Sequence, residues 1–149
     1  MKQLITSTGA PPPAGPYSPV LAVGDLIFLS GQGGFDPGTG QLVSDDIAGQ
    51  TAQVFRNIEV LLNAAGAELS DVVSCLVHLS DLALFAEFNT SYAKQFPEAV
   101  KPVRTTVRAD LTAGMLVEVT VTAVKSRLWR QTQPARAACA GIHRGKPCP

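Results

Sequence analysis

Two charged side chains in residues 103–119, VRTTVRADLTAGMLVEV, sit where chemistry is possible. Arg104 follows Pro102 at the start of a strand-like run, and Glu118 is the lone acid in a second, otherwise apolar run. A guanidinium presents a flat fork of donors suited to gripping a carboxylate through two hydrogen bonds, and no acid lies adjacent to Arg104 in sequence to occupy it. A carboxylate held in an apolar strand can act as general base or acid on a bound water. A structural alternative is open. If the two runs form a hairpin turning near Ala113, Arg108 falls opposite Glu118 and Arg104 opposite Thr122. The Glu118–Arg108 pair then contributes under ~1 kcal/mol where exposed.

The elements that must position these residues follow from patterning. SPVLAVGDLIFLSGQ reads as two short strands turning at Gly24-Asp25, and the Gly-, Pro- and Asp-rich GGFDPGTGQL as a loop. Ile47, Thr51, Val54, Ile58, Leu61, Leu62 and Ala65 recur at helical spacing, with Ser44, Asp45 or Asp46 to cap the start and Gly66 the end. DVVSCLVHLS is a buried strand, and residues 81–96 form a second helix with Leu82, Phe85, Phe88, Tyr92 and Phe96 on one stripe. The order ββ, α, β, α, ββ predicts an α+β fold, a mixed sheet with two helices on one face. In the final strand Val117, Val119, Val121 and Ala123 share the face toward the helices. Leu116, Glu118, Thr120, Thr122 and Val124 share the other. That second face is too rich in Thr and Val for plain solvent, so a homo-oligomer packing its sheets about a common axis is expected to cover it.

At 149 residues, 46% apolar and 16% charged, the chain is expected to form one domain whose core needs no disulfide or metal. No run of 18 apolar residues and no signal-peptide core is present, which leads to an expected cytoplasmic location. The neutral total hides a division. Residues 1–126 carry seven basic and twelve acidic side chains, a balance of −5, whereas residues 127–149 carry five basic and no acidic ones. The domain 1–126 thus lacks the basic footprint of a nucleic-acid binder, and 127–149 reads as a basic, disordered tail. Cys75, Cys139 and Cys148 are an odd set fitting a reducing compartment. Cys139, His143 and Cys148 offer only three ligands with no CxxC, so no metal site is expected.

Five blocks in order carry a resemblance: GPYSP at residues 15–19, SGQ at 30–32 before a loop with PGTG, FAEFNTSYAKQF at 85–96, RTTV from Arg104, and VEV around Glu118. Together they resemble the RidA/YjgF family of enamine/imine deaminases over residues 1 to about 126, a family also known as endoribonuclease L-PSP. The resemblance implies a chorismate mutase-like homotrimer with clefts between subunits and a substrate that is a 2-imino acid or its enamine tautomer. It implies that Arg104 binds the substrate carboxylate. Glu118 would polarise the attacking water and help move protons to the departing ammonia, and Tyr17 would close the cleft. Ser30, Gly31 and Thr106 would contact substrate, with Asn89 nearby. Simpler structural roles exist for several: Tyr17 as a turn aromatic, Ser30 as a turn residue, Asn89 bonding locally, and His78 and Cys75 as packed side chains. Imine hydrolysis needs positioning, a charge anchor and one acid/base group, so no cofactor is implied. Where the family commonly carries Ser-Cys after the arginine, this chain has Thr105-Thr106, and its Arg-to-Glu interval is a residue shorter. Both features imply a divergent subfamily.

Two other functions fit parts of this pattern. One is an endoribonuclease or translation inhibitor, against which the acidic domain argues. The other is a non-catalytic, chaperone-like trimer that binds carboxylates without turnover.

Overall fold

The computed structural model describes residues 1–125; the segment 127–149, with Cys139, His143 and Cys148, lies outside the described residues. Strands β1 (Lys2–Ile5), β2 (Val20–Val23) and β3 (Leu26–Leu29) form an antiparallel meander. Gly24, at φ +60°, makes the β2–β3 turn where expected, in a left-handed conformation that costs glycine nothing. β1 escaped the sequence reading. It is a short edge strand, KQLI, with three exposed residues and no alternation to mark it.

Helix α1 (Ile47–Ala65) is capped by Asp46, whose side chain accepts from the Gly49 N–H at 2.7 Å, and closed by Gly66 in the left-handed region. Its stripe Val54, Ile58, Leu61 and Leu62 is at most 1% exposed. Two buried amides on the same helix tie down distant loops. Asn57 donates to the carbonyls of Gly33 and Phe35 at 3.1 and 2.9 Å, and Gln50 accepts from the Leu116 N–H at 2.8 Å. Buried polar groups placed in this way leave the tethered backbone few alternatives.

Strands β5 (Val72–Leu79), β6 (Val103–Arg108) and β7 (Val117–Val124) complete a sheet of order β1-β2-β3-β7-β5-β6. The two-residue β4 (Gln32–Gly33) also pairs with β7. All pairings are antiparallel except β5 with β6. Val117, Val119, Val121 and Ala123 of β7 are at most 1% exposed beneath the helices, as the alternation predicts.

The expected hairpin of the last two strands does not form. β5 lies between β6 and β7, pairing parallel with one and antiparallel with the other. Residues 109–116 are enough chain to pass a neighbouring strand, where a tight hairpin would use two to five. The Val- and Leu-rich β5 gains a partner on each edge, and the Arg- and Thr-bearing β6 takes the sheet edge, where charge is tolerated. Arg108 is therefore opposite Leu79, and Glu118 is opposite His78, so the anticipated Arg108–Glu118 pair is absent.

Helix α2 (Phe85–Ala93) follows a 3₁₀ turn at Leu82–Leu84 whose first residue is capped by Asp81. Its aromatic stripe divides. Phe88, Tyr92 and the following Phe96 are buried, with Phe55 of α1 edge-on to Tyr92 and Phe96 at 5.7 and 5.5 Å, whereas Leu82 and Phe85 stay exposed. Both helices cover one face of the sheet. On the opposite face Leu26, Phe28, Leu76 and Val107 are 39–42% exposed, an apolar surface for a sheet facing water. No helix among the described residues is long and apolar enough to cross a membrane.

Candidate active site

Glu118 projects from the open face of β7, opposite Gly33 of β4 and His78 of β5. Its side chain is 31% exposed, and Oε1 lies 3.5 Å from Nδ1 of His78. Gly31 is the floor against which the carboxylate rests. A Cβ there would stand 2.6 Å from the Glu118 carboxyl carbon, so the backbone approaches this closely only because it is glycine.

Glu118, Gly31 and Tyr17 line one cleft of about 260 Å³, walled by the Pro11–Pro13 run and by Phe35 and Met115. Tyr17 is held by a local turn. Its N–H donates to the Gly15 carbonyl at 2.8 Å, and its hydroxyl accepts from the Ala14 N–H at 3.0 Å. Ser30 borders the cleft, with its own hydroxyl committed elsewhere: Oγ donates to the Ser18 carbonyl at 2.7 Å and ties the proline-rich loop to the end of β3. Its side chain is a structural tie, and its backbone is engaged as well: the N–H donates to the Pro19 carbonyl at 3.0 Å and the carbonyl accepts from the Gln32 amide at 3.0 Å.

Arg104, Thr106 and Asn89 are not in this cleft. The register of β6 on β5 puts Arg104 beside Cys75 and Thr106 beside Val77, both on the helix side of the sheet, the face opposite to Glu118. There the guanidinium carbon lies 4.5 Å from the Tyr92 ring centre, 5.7 Å from Phe85 and 5.6 Å from Phe88. This cation–π cradle orients the fork, and no carboxylate among the described residues reaches it. Oγ1 of Thr106, two residues along β6 from Arg104, and Oδ1 of Asn89 on α2 are buried without hydrogen-bond partners.

Burial pushes the Tyr92 phenol and the Cys75 thiol well above their ordinary values, so both stay protonated. The Tyr92 hydroxyl lies beside the Cys75 sulfur without a well-formed hydrogen bond. A protonated, 2% exposed thiol is a packing group and not a nucleophile. No set of three His, Cys, Asp or Glu side chains among the described residues is arranged to hold a metal ion.

Sequence reasoning thus named members of two half-sites and missed what surrounds them. The cradle was legible only as an aromatic stripe, and His78 only as a histidine in an apolar strand. Pairing His78 with Glu118 needed the strand order, which patterning does not contain.

Comparison with known proteins gives these half-sites a context. Residues 7–125 match the family model described as Endoribonuclease L-PSP. A RutC family protein of Pyrococcus horikoshii is 42% identical over 126 residues, covering 84% of this chain and 99% of its own. The 2-iminobutanoate/2-iminopropanoate deaminase of Bos taurus is 36% identical over 129 residues, covering 86% and 93%. Among solved structures, E. coli TdcF with bound serine is similar at a TM-score of 0.78 and 31% identity, over 83% of this chain and 99% of that one. Both fold and sequence agree over nearly the whole length of these relatives, and the chain belongs to the RidA/YjgF (Endoribonuclease L-PSP) family.

Proposed function

We propose that this protein hydrolyses 2-imino acids and their enamine tautomers, such as 2-iminobutanoate and 2-iminopropanoate, to 2-keto acids and ammonia. The observation that carries the reading is the separation of two incomplete half-sites: an acid in a cleft without a cation, and a cation in a cradle without an acid. A homotrimer whose subunits meet across the open apolar face joins the Glu118 cleft of one subunit to the Arg104 cradle of the next. The name of the Bos taurus relative and the serine bound in TdcF support a small amino- or imino-acid ligand.

In this reading Arg104 anchors the substrate carboxylate, with Thr106 and Asn89 supplying polar contacts, and Tyr17 closes the cleft. Glu118 accepts a proton from water as the oxygen adds to the imine carbon. That proton passes to nitrogen to give the carbinolamine. Glu118 then takes the proton of the new hydroxyl and delivers it to the amine as the C–N bond breaks, so that ammonia leaves and the 2-keto acid remains. Because imines hydrolyse unaided, orientation and one acid/base group supply enough, and the chemistry calls for no metal or organic cofactor. We place the protein in the cytoplasm. The domain 1–126 performs the reaction without 127–149.

The test is ammonia release from 2-iminobutanoate generated in situ by a dehydratase. Wild type should accelerate it, and Arg104→Ala and Glu118→Gln should each reduce kcat/KM by about 10²-fold or more. No acceleration by wild type with several imino acids would sink the reading and leave a carboxylate-binding trimer without turnover.

A further inference from the structure

We propose that His78 is a positioning residue for Glu118, its Nδ1–H holding the carboxylate in the orientation that faces the cleft. The inference deepens the reading above and rests on it for the reaction. Three observations carry it. His78 and Glu118 are direct cross-strand partners on β5 and β7, so their side chains rise side by side from the same face. Nδ1 of His78 is 3.5 Å from Oε1 of Glu118 and is otherwise buried without a hydrogen-bond partner. The same oxygen is confined by Gly31, where an added Cβ would stand 2.7 Å from it.

A buried ring nitrogen with no partner favours its nearest acceptor, and a shift of about half an ångström turns this contact into a charge-assisted hydrogen bond. The adjacent positions on β3, β5 and β6 bring no other titratable side chain to the carboxylate. The neighbouring positions are Ser74 and Leu76 on β5, Leu26 and Phe28 on β3, and Val103, Thr105 and Val107 on β6, none of them titratable. His78 does not line the cleft, so it acts through Glu118 and touches no substrate. With Oε1 engaged by the imidazole, the other carboxylate oxygen is left to hold water.

The experiment has two arms. In the kinetic arm, His78→Phe keeps a flat ring and removes the donor, and His78→Asn returns an amide N–H near the position of Nδ1. We expect kcat to fall about tenfold in the Phe variant with KM little changed, the scale of one hydrogen bond to a charged group, and Asn to restore most of it. Wild-type kcat in the Phe variant, or no rescue by Asn, overturns the proposal. The second arm is nitrogen NMR of the imidazoles in the full chain, which has only two histidines, His78 and His143. His78 should be the Nδ1-protonated tautomer in wild type and lose that preference in Glu118→Gln. An Nε2-protonated His78, or a tautomer indifferent to Glu118→Gln, overturns the pairing. If wild type turns over no imino acid, the reaction assignment fails while the tautomer still decides the pairing.

Discussion

A methyl group on Gly31 would stand 2.6 Å from the carboxyl carbon of Glu118, inside any non-bonded contact, so one of the two must move. Glu118 is the mobile partner, because the Gly31 backbone is fixed between the Ser30 tie and β4. Gly31→Ala should therefore lower kcat by up to about 10²-fold, the cost of misplacing a catalytic group by an ångström, while the melting temperature changes little. Kinetics beside a thermal melt check this, and a large fall in melting temperature would mean that the backbone yielded instead. At this scale the sequence was informative about residue type. Arg104 stood out as a charge with no acid near it in sequence, and Glu118 as the lone acid in an apolar strand for which Arg108 was the expected partner. Nothing in the sequence could reveal that they face opposite sides of the sheet. Alternation assigns faces within a strand, and only the identity of the neighbouring strand relates one strand's faces to another's.

Among the elements, α1 was the most legible, since its stripe, its Asp46 cap and its Gly66 stop are all local signals. The cap also makes stability depend on acid. Hydrogen bonds from the Ser44 side chain and then the Gly49 N–H hold the Asp46 carboxyl below its ordinary value of 3.8. The folded state therefore gains from the ionised form. That gain is complete above the ordinary value and is lost as pH falls through the depressed one. Asp46→Asn keeps a capping acceptor without the titration, so its melting temperature should decline less than that of wild type between about pH 5 and about pH 3. Parallel acid slopes for the two proteins would show that the cap is not the source. β6 and β7 were legible as strands and illegible as partners. An eight-residue connection is compatible with a loose hairpin or with a crossover, and the choice is made by what β5 needs on its edges, a tertiary demand.

For the whole molecule, the proposed sharing of a reaction centre between subunits has an arithmetic consequence. Arg104→Ala and Glu118→Gln subunits, each inactive alone, should regain activity when unfolded together and reassembled. With random association, about a quarter of the shared centres receive a native Arg104 from one subunit and a native Glu118 from the other. Recovery near that fraction of the wild-type rate, with a trimer mass by sedimentation, is the expected result. No recovery from a well-formed trimer would mean that both residues serve from one chain. The apolar character of the open face was legible in the sequence through the Thr- and Val-rich side of β7, whereas the contributions of Leu26 and Phe28 of β3 and Leu76 of β5 were not read there. The cradle around Arg104 has a further meaning at this scale. Aromatic faces orient a guanidinium without cancelling its charge, as a carboxylate partner would. Within a domain with a balance of −5 over residues 1–126, an incoming carboxylate thus meets at Arg104 a guanidinium held by rings and not already paired with an acid among the described residues. The rings that fix its geometry leave its charge to act on an anion at short range, against an overall negative field.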